Sequence, residues 1–204
     1  MKKILFTIIT GSALAFSGAA SAQSSKIDVK ASKVEWLGKK VVGGSHNGTV
    51  TVKSGHLDFS KGVVSGGEIV VDMNSIVNLD LKDPKWNGKL VGHLKSADFF
   101  DVANHPTSTL KITSFKKISG DKYDLKGQLT LRGITKEVST TATLKKDLKK
   151  NTLKASMVID RTLFDVKYGS GKFFKGLGDK MIADDIRIKA TIITNTDGKK
   201  QSSL

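Results

Sequence analysis

The feature that most constrains this chain is an alternation of apolar and polar residues with a period of two. In 123–131 every second residue is apolar or glycine, and the residues between them are Asp, Lys, Gln and Thr. A helix repeats every 3.6 residues, so it cannot place this pattern on one face, whereas a half-buried β-strand does so directly. The pattern returns in 138–144, 153–159 and 186–192, which are therefore also predicted to be strands.

Further extended segments are predicted where the alternation is fainter: Val34–Trp36, Val50–Val52, Leu57–Phe59, Glu68–Met73 and Thr107–Phe115. For the chain as a whole, about eight strands are predicted. Glycine-rich turn signals, such as Ser54-Gly55 and Gly66-Gly67, separate them. The lysine-rich segment 145–151 is predicted to be a solvated hairpin loop. This organisation favours an all-β fold, either a closed up-and-down barrel or a sandwich. A barrel of about eight strands has room for one small ligand.

One short helix is predicted between Asp83 and Ser96. Asp83 is placed to cap its N-terminus, and Pro84 suits its first position because proline lacks the N–H that the first turn leaves unpaired. Trp86, Leu90 and Leu94 recur every four residues and form its apolar stripe. No repeat or linker divides the rest of the chain, so one domain is predicted.

The N-terminal segment 1–22 is predicted to be a cleavable secretory signal. Lys2 and Lys3 precede a largely apolar run over 4–16, and Ala20-Ser21-Ala22 has the small residues of a cleavage site. The run falls short of the roughly 20 residues that a transmembrane helix needs. The expected organisation is a signal peptide over 1–22 and one barrel domain over 23–204, located in a bacterial periplasm.

Composition and spacing exclude several kinds of chemistry. The chain has no cysteine, which rules out disulfides, thiol nucleophiles, cysteine-bound metals and a lipoprotein anchor. Its four histidines are far apart, so ordinary surface or turn histidines are favoured over a metal site. Acidic residues cluster at Asp98/Asp101 and at Asp179, Asp184 and Asp185, where turn capping or pairing with lysine is favoured over catalysis. No catalytic residue, metal or cofactor is predicted.

The basic charge invites a nucleic-acid function, but the type of basic residue speaks against it. The 34 basic residues outnumber 19 acidic ones, for a formal charge of +15. Only Arg132, Arg161 and Arg187 are arginines, the residue that base edges and phosphates favour. The lysines alternate outward along most strands. We therefore predict no nucleic-acid partner, and instead a soluble surface with some attraction to anionic lipid headgroups.

Four stretches, in the same order as in the family, resemble the YceI family. They are HNGTV at 46–50, HLKSADFFDV at 93–102 closely followed by HPTST at 105–109, GQLTLRGIT at 127–135 and IDRTLFDV at 159–166. The likeness runs from about Ser32 to Thr194. One departure is Asp165, which stands where the family pattern has glycine, and which puts the turn after Phe164 in question.

This resemblance implies a lipocalin-like barrel of eight antiparallel strands, in a periplasmic or secreted protein without enzymatic activity. It also implies that a long apolar amphiphile, such as a polyisoprenoid, an isoprenoid quinone or a fatty-acid amide, binds inside the barrel. Some members of the family form homodimers, so a homodimer is an additional expectation.

The expected lining of a lipid site combines aromatic residues with apolar residues from the alternating strands. The candidates are Trp36, Phe59, Phe99, Phe100, Phe115, Leu129, Val138, Met157, Ile159, Phe164, Phe173 and Phe174. If the Phe99-Phe100 and Phe173-Phe174 pairs are extended, only one ring of each reaches the interior; alternatively, these rings plug the barrel ends as core. Arg161 is predicted either to orient a polar headgroup or to act as a structural ion-pair partner. Small residues, Gly127, Ala142, Ala155 and Ala190, could leave the interior unfilled.

The leading functional hypothesis is an exported protein that holds one long-chain lipid non-covalently inside the barrel. Two alternatives remain at this stage. An envelope-stress or interaction protein without a ligand would have an interior filled by side chains. An esterase- or isomerase-like enzyme would bring Asp98, Asp101 or Asp184-Asp185 together with a histidine in a pocket.

Overall fold

The computed structural model describes residues 23–196, so the predicted signal over 1–22 lies outside the described residues. Within 23–196 no helix is long and apolar enough to span a bilayer. The secondary structure consists of nine strands, one α-helix and two short 3₁₀ turns, in the order β1 Gln23–Lys26, β2 Lys33–Lys40, β3 Ser45–Ser60, β4 Val63–Asn78, α1 Pro84–Lys95, β5 Thr107–Ser119, β6 Lys122–Leu131, β7 Ile134–Lys146, β8 Lys150–Asp160, the 3₁₀ turns Arg161–Phe164 and Gly178–Lys180, and β9 Ile182–Asn195.

The strands close into an antiparallel barrel, which confirms the predicted fold and excludes the sandwich. Neighbouring strands pair in the order β3-β2-β9-β8-β7-β6-β5-β4, and β4 pairs with β3 to complete the circle. The short β1 pairs with β3 beyond the end of β2, and Ile27 after it bridges to Thr194 of β9. Therefore β1 and β2 together occupy one strand position, and the wall has eight positions.

Glycines that looked like turn signals lie inside long strands. Ser54-Gly55 is within β3, where the pairing with β4 shifts register between Val52 and Ser54. Gly55 has a φ of +153°, and a Cβ there would lie 2.3 Å from the Glu68 carbonyl oxygen. The prediction of a break at this position was wrong, because glycine here permits a bulge that lets the strand coil without ending.

The lysine-rich segment 145–151 is also mostly strand. Lys145 pairs with Thr152 and Lys146 with Asn151, so only the tip around 147–149 is a turn. Asn151 is buried, and its side-chain amide donates to Thr194 Oγ1 at 3.3 Å. Charged side chains can point outward from a strand without disturbing its backbone pairing. The lysine-rich composition therefore predicted a loop at positions where the pairing of β7 with β8 continues.

The predicted helix is present with its predicted cap. The Asp83 carboxylate accepts hydrogen bonds from the backbone N–H groups of Lys85 and Trp86, at 2.8 and 3.2 Å. Only Leu94 of the expected apolar stripe is buried, while Trp86 is 55% exposed. The helix lies across one end of the barrel and therefore packs by one turn, not along its whole length.

The interior is divided between two ends with different fillings. At the filled end, where the β3–β4, β5–β6 and β7–β8 hairpins turn, the core includes Leu57, Leu125 and Leu153, each at most 2% exposed. At the hollow end, where α1 and the β8–β9 connection lie, a second cluster is formed by β4, β8, the turn after α1 and the 3₁₀ turn after β8.

At the hollow end two pairs of neighbouring strands, β4–β5 and β7–β8, are no longer hydrogen-bonded to each other. The β4–β5 ladder stops at Asp72 and Thr107, although β4 continues to Asn78. The β7–β8 ladder stops at Ala142 and Ala155, although both strands continue towards this end. The 3₁₀ turn Arg161–Phe164 contacts β7. Towards the filled end the β4–β5 ladder stops as well, at Gly67 and Ile112, whereas the β7–β8 ladder continues to the hairpin turn.

Candidate functional site

The site is an apolar cavity of about 160 Å³ inside the hollow end. Inward-facing residues of β2, β4, β6, β8 and β9 form its sides, and Leu94, Phe99 and Phe100 cover it from the helix and the turn that follows. Two clearly polar side chains, Ser108 and Arg161, face it, and both are already bound; the indole N–H of Trp36, which also lines the cavity, is buried without a hydrogen-bond partner. Ser108 donates to the Thr130 carbonyl at 2.7 Å, and Arg161 donates to backbone carbonyls. The wall therefore offers a ligand almost entirely hydrocarbon contact.

Seven of the thirteen residues predicted from sequence line this cavity: Trp36, Phe99, Phe100, Leu129, Met157, Ile159 and Arg161. Phe99 and Phe100 both reach it, unlike two neighbours in a strand. They lie in a turn, held by hydrogen bonds from the Phe99 N–H to the Ser96 carbonyl and from the Phe100 N–H to the Leu94 carbonyl. The rings meet edge to face with centroids 4.9 Å apart.

The other six predicted residues lie away from the cavity. Phe59 and Phe115 belong to the filled end, where Phe115 stacks on Tyr123 at 4.4 Å between centroids. Phe164 is 1% exposed and packs beneath the 3₁₀ turn, and Val138 is half-buried beside it on β7. Phe173 and Phe174 are 49% and 48% exposed, because their segment is a surface loop and not a strand.

The sequence reasoning missed most of the aliphatic wall, because it favoured aromatic residues. The alternation itself could have found many of these residues, since Gly38 continues the face of Trp36, and Ile186, Ile188 and Ala190 share one face of β9. The missed residues are Val34, Gly38, Val50, Ile69, Val71, Met73, Ile76, Leu94, Ser108, Leu110, Leu131, Ile182, Ala183, Ile186, Ile188 and Ala190.

Of the four small residues expected to leave space, only Ala190 lines the cavity. Ala142 and Ala155 pack at the filled end. At Gly127 a Cβ would lie 2.9 Å from Leu110 Cδ1, so a neighbouring side chain occupies the room that the glycine leaves. At the other three positions the small residue leaves room that larger neighbouring side chains fill. The cavity arises instead at the end where strands separate.

Arg161 is a structural residue at the edge of the cavity. Its side chain is fully buried, and its guanidinium donates to the carbonyls of Val166 at 2.6 Å, Ala183 at 3.1 Å and Ile182 at 3.2 Å. The guanidinium also lies 3.6 Å from Asp184 and 5.6 Å from the centroid of the Phe99 ring. Burial lowers the pKa of Arg161, and the nearby Asp184 and Asp160 oppose this shift. Of the two predicted roles, the geometry fits the structural one, because these contacts hold both ends of the β8–β9 connection.

Ionic contacts at the hollow end surround this arginine. Lys172 Nζ lies 2.7 Å from Asp160 and 3.3 Å from Asp184. Burial alone would raise the pKa of Asp160, but hydrogen bonds from Lys172 and Thr162 together lower it. The same hydrogen bond to Asp160 raises the pKa of Lys172. These groups connect the end of β8 to the loop and to the start of β9.

The Asp165 turn keeps the conformation that a glycine would adopt. Asp165 has a φ of +62° and ends the 3₁₀ turn, a left-handed conformation that aspartate tolerates better than most residues. The Lys167 ammonium, 2.5 Å away, holds the pKa of Asp165 below its usual range. The departure from the family pattern therefore changes the residue and not the turn.

The acidic residues considered for catalysis do not gather in the cavity. Asp184 contacts Arg161 and Lys172, while Asp101 accepts from Asn104 and lies 3.9 Å from His105. Neither borders the cavity. Within residues 23–196 no group of three or more histidine, aspartate or glutamate side chains is arranged to hold a metal ion.

A closed eight-position antiparallel barrel with an apolar cavity at one end defines a protein of the lipocalin-like class. Within that class, this chain belongs to the YceI-like domain family, whose model matches residues 26–193. The resemblance inferred from the motifs is thereby confirmed.

Relatives and solved structures agree with this assignment. A UPF0312 protein of Pectobacterium atrosepticum is 32% identical over 150 residues, which cover 71% of this chain and 73% of the relative. The crystal structure of Burkholderia cenocepacia BcnA is similar with a TM-score of 0.66 at 24% identity, over 82% of this chain and 98% of BcnA. A polyisoprenoid binding domain from Saccharophagus degradans is similar with a TM-score of 0.62 at 13% identity, over 86% and 99% of the two chains. At these identities the two structures establish the shared fold.

Proposed function

We propose that this protein binds the apolar chain of a long-chain lipid, a polyisoprenoid, an isoprenoid quinone or a fatty-acid amide, in the cavity of the hollow end. The observation that carries the proposal is the chemistry of the wall, where aliphatic and aromatic side chains surround an unfilled space and Ser108 and Arg161 are already bound to backbone carbonyls. An apolar ligand gains about 0.8 kcal/mol for each methylene that it buries. The similarity to a polyisoprenoid binding domain supports the same class of ligand.

The size of the cavity determines how such a ligand fits. A dry apolar cavity of about 150 Å³ takes up benzene, so about 160 Å³ holds roughly one isoprene unit. Only one end of the chain therefore occupies the cavity, and the remainder of the lipid lies outside it.

We also propose that the protein acts after export to the periplasm. The charged start, apolar run and small-residue site of 1–22 support this location. Cell fractionation with N-terminal sequencing tests it, and the expected result is a periplasmic protein that begins at Gln23. A cytoplasmic protein that retains Met1 would contradict it.

The test of binding is native mass spectrometry of the protein purified from its bacterial host, followed by solvent extraction of any bound lipid. We expect one lipid per chain. Gly38→Leu supplies a blocked variant, because Gly38 lines the cavity and a Cβ there meets no atom within 4 Å. The matched control is Gly44→Leu, where a Cβ is equally unhindered but the residue lies at the exposed tip of the β2–β3 hairpin.

We expect Gly38→Leu to lose the lipid and Gly44→Leu to keep it. A protein that carries no lipid, and that also takes up none when quinones or long-chain amides are offered in excess, would contradict the proposal. That result would favour the ligand-free envelope protein considered from the sequence.

A further inference from the structure

The hollow end carries most of the exposed apolar surface of residues 23–196. Three segments, 39–46, 77–89 and 162–181, surround this end and are here called the collar. Twelve large hydrophobic side chains of the described residues are exposed, and nine of them lie in the collar. Of the other three, Ile118 and Leu148 are at the filled end, and Val158 is on the outer face of β8.

The collar segments contact one another and so form one surface. The Val41 N–H donates to the Met181 carbonyl at 2.9 Å, which joins the β2–β3 hairpin to the loop. His46 Nδ1 lies 2.8 Å from Asp80 Oδ2, which joins the same hairpin to the segment before α1. The rings of His93 on α1 and Tyr168 in the loop meet at 4.4 Å between centroids.

Aromatic residues distinguish this surface from the rest of the barrel. Trp86, Tyr168, Phe173 and Phe174 are about half exposed, and they are the exposed aromatic residues of the described chain. Single exposed apolar residues need no explanation, but a cluster of this kind marks an interaction surface. Aromatic side chains, and tryptophan and tyrosine above all, concentrate where hydrocarbon meets headgroups at a bilayer surface.

Lysines accompany the aromatic residues. The three segments hold nine lysines and four aspartates, a net charge of +5. Three of the aspartates are engaged: Asp80 with His46, Asp165 with Lys167, and Asp83 as the helix cap. Lys89 lies 4.8 Å from the Trp86 ring centroid and Lys167 lies 5.4 Å from that of Phe173. Long lysine side chains can follow a buried aromatic ring and keep the ammonium at the headgroup level.

We propose that the collar docks the hollow end onto the surface of a bilayer that contains anionic phospholipid. The aromatic rings enter the headgroup region, and the lysines pair with the phosphates. The charge favours this partner over a second copy of the chain, because two collars of the same positive charge repel. The proposal goes beyond the proposed function, since it places the end of the barrel that holds the cavity at the source of an apolar lipid.

The two tryptophans allow docking and cavity binding to be measured separately. Trp36 lines the cavity and Trp86 lies on the collar. In the Trp36→Phe protein, Trp86 emission reports contact with vesicles, and in the Trp86→Phe protein, Trp36 emission reports occupation of the cavity. Failure of either proposal therefore leaves the other measurable.

The test measures flotation with vesicles of phosphatidylcholine, with and without phosphatidylglycerol. We expect binding and a blue shift of Trp86 emission only when phosphatidylglycerol is present, and weaker binding at high salt. Replacing both Phe173 and Phe174 with serine should weaken binding at least about tenfold, which corresponds to about 1.4 kcal/mol. The blocked Gly38→Leu protein should still bind vesicles.

The matched control replaces Ile118 and Leu148 with serine at the filled end, where the hairpins are also rich in lysine. This variant should bind vesicles like the parent. Equal loss in both double variants, or no binding to anionic vesicles, would overturn the proposal. A dimer that the Phe173/Phe174 variant abolishes would overturn it as well, and would assign the collar to a second copy.

Discussion

The two ends of the barrel are built from the same strands, yet one is filled and the other is hollow. At the filled end the β5–β6 and β7–β8 ladders reach their hairpin turns, and apolar side chains of these strands form a buried cluster. At the hollow end the β7–β8 ladder has stopped, and the apolar side chains surround an unfilled space. The cavity therefore lies at the end where β7 and β8 are no longer paired.

The two ends also differ in what stabilises them. Leu57, Leu125 and Leu153 at the filled end are almost completely buried among apolar neighbours. The hollow end depends on polar contacts, namely the guanidinium of Arg161 with three carbonyls and the ion pairs of Lys172. Every described group with a shifted pKa, from Asp80 to Lys172, lies at this end. The hollow end thus combines its apolar cluster with hydrogen bonds and charges.

The largest expected effect comes from removing the central polar contact of the hollow end. Arg161→Met leaves three backbone carbonyls without their donor and removes the positive charge 3.6 Å from Asp184, and should destabilise the protein by about 3–5 kcal/mol. Arg161→Lys should recover only part of this, because one ammonium cannot replace the planar fork. Chemical denaturation measures both. Arg187→Met, at an exposed position of β9, is the control and should change stability by less than about 0.5 kcal/mol.

A pair of leucines on one strand compares the packing of the two ends. Leu125 and Leu129 both face inward from β6, but Leu125 is 1% exposed at the filled end while Leu129 borders the cavity. Leu125→Ala should cost about 3 kcal/mol, and Leu129→Ala less than half of that, because Leu129 has fewer neighbours to lose. Equal costs in urea denaturation would show that the cavity wall is packed as closely as the filled end.

Replacing an alanine with leucine tests whether the interior has free space at each end. Ala142→Leu adds volume to the filled end, where Ala142 is 1% exposed, and should destabilise by about 1–3 kcal/mol. Ala190→Leu extends into the cavity and should change stability by less than about 1 kcal/mol while it reduces lipid uptake. Thermal denaturation and native mass spectrometry measure the two properties. Comparable destabilisation in both variants would contradict an open space beside Ala190.

The smallest expected effect is a difference in acid sensitivity. For Asp80, burial would raise the pKa, but hydrogen bonds from Asn47, His46 and Asn78 lower it below its usual 3.8; the pKa values of Asp160 and Asp165 are lowered too. The stability from these carboxylates is present above pH 3.8 and is lost as the pH falls through their lower folded values. Hydrogen exchange should therefore show the 161–181 segment opening in acid before the filled end does. Simultaneous opening of both ends would contradict this.

Several elements of the fold could be predicted directly from the residues. Period-two alternation identified β6 to β9, and Asp83-Pro84 identified the start of α1. The bulge at Gly55 and the strand through Lys145 were not predictable in the same way. A glycine or a lysine has the same local preference in a turn and in a paired strand, and only the partner strand distinguishes the two.

The candidate site was predictable only in part, for a related reason. Trp36, Leu129, Met157 and Ile159 lie on alternating strands, so their inward direction followed from the pattern. Phe115 and Phe59 face inward equally well, but at the filled end. Alternation specifies whether a residue faces the interior or the solvent. It does not specify how far along the barrel axis the residue lies, and so it cannot say whether the residue borders the cavity.

The sequence by itself determined the class of fold, the family and the apolar character of the interior, because each depends on local pattern and on short motifs. The tertiary structure alone decided that the interior is filled at one end and hollow at the other, and that Arg161 is a structural residue at the boundary of the cavity. Those properties depend on where ladders between strands stop and on contacts between segments distant in sequence, such as that of Arg161 with Ala183. A strand's own residues specify how it pairs much less sharply than they specify which of its faces is buried.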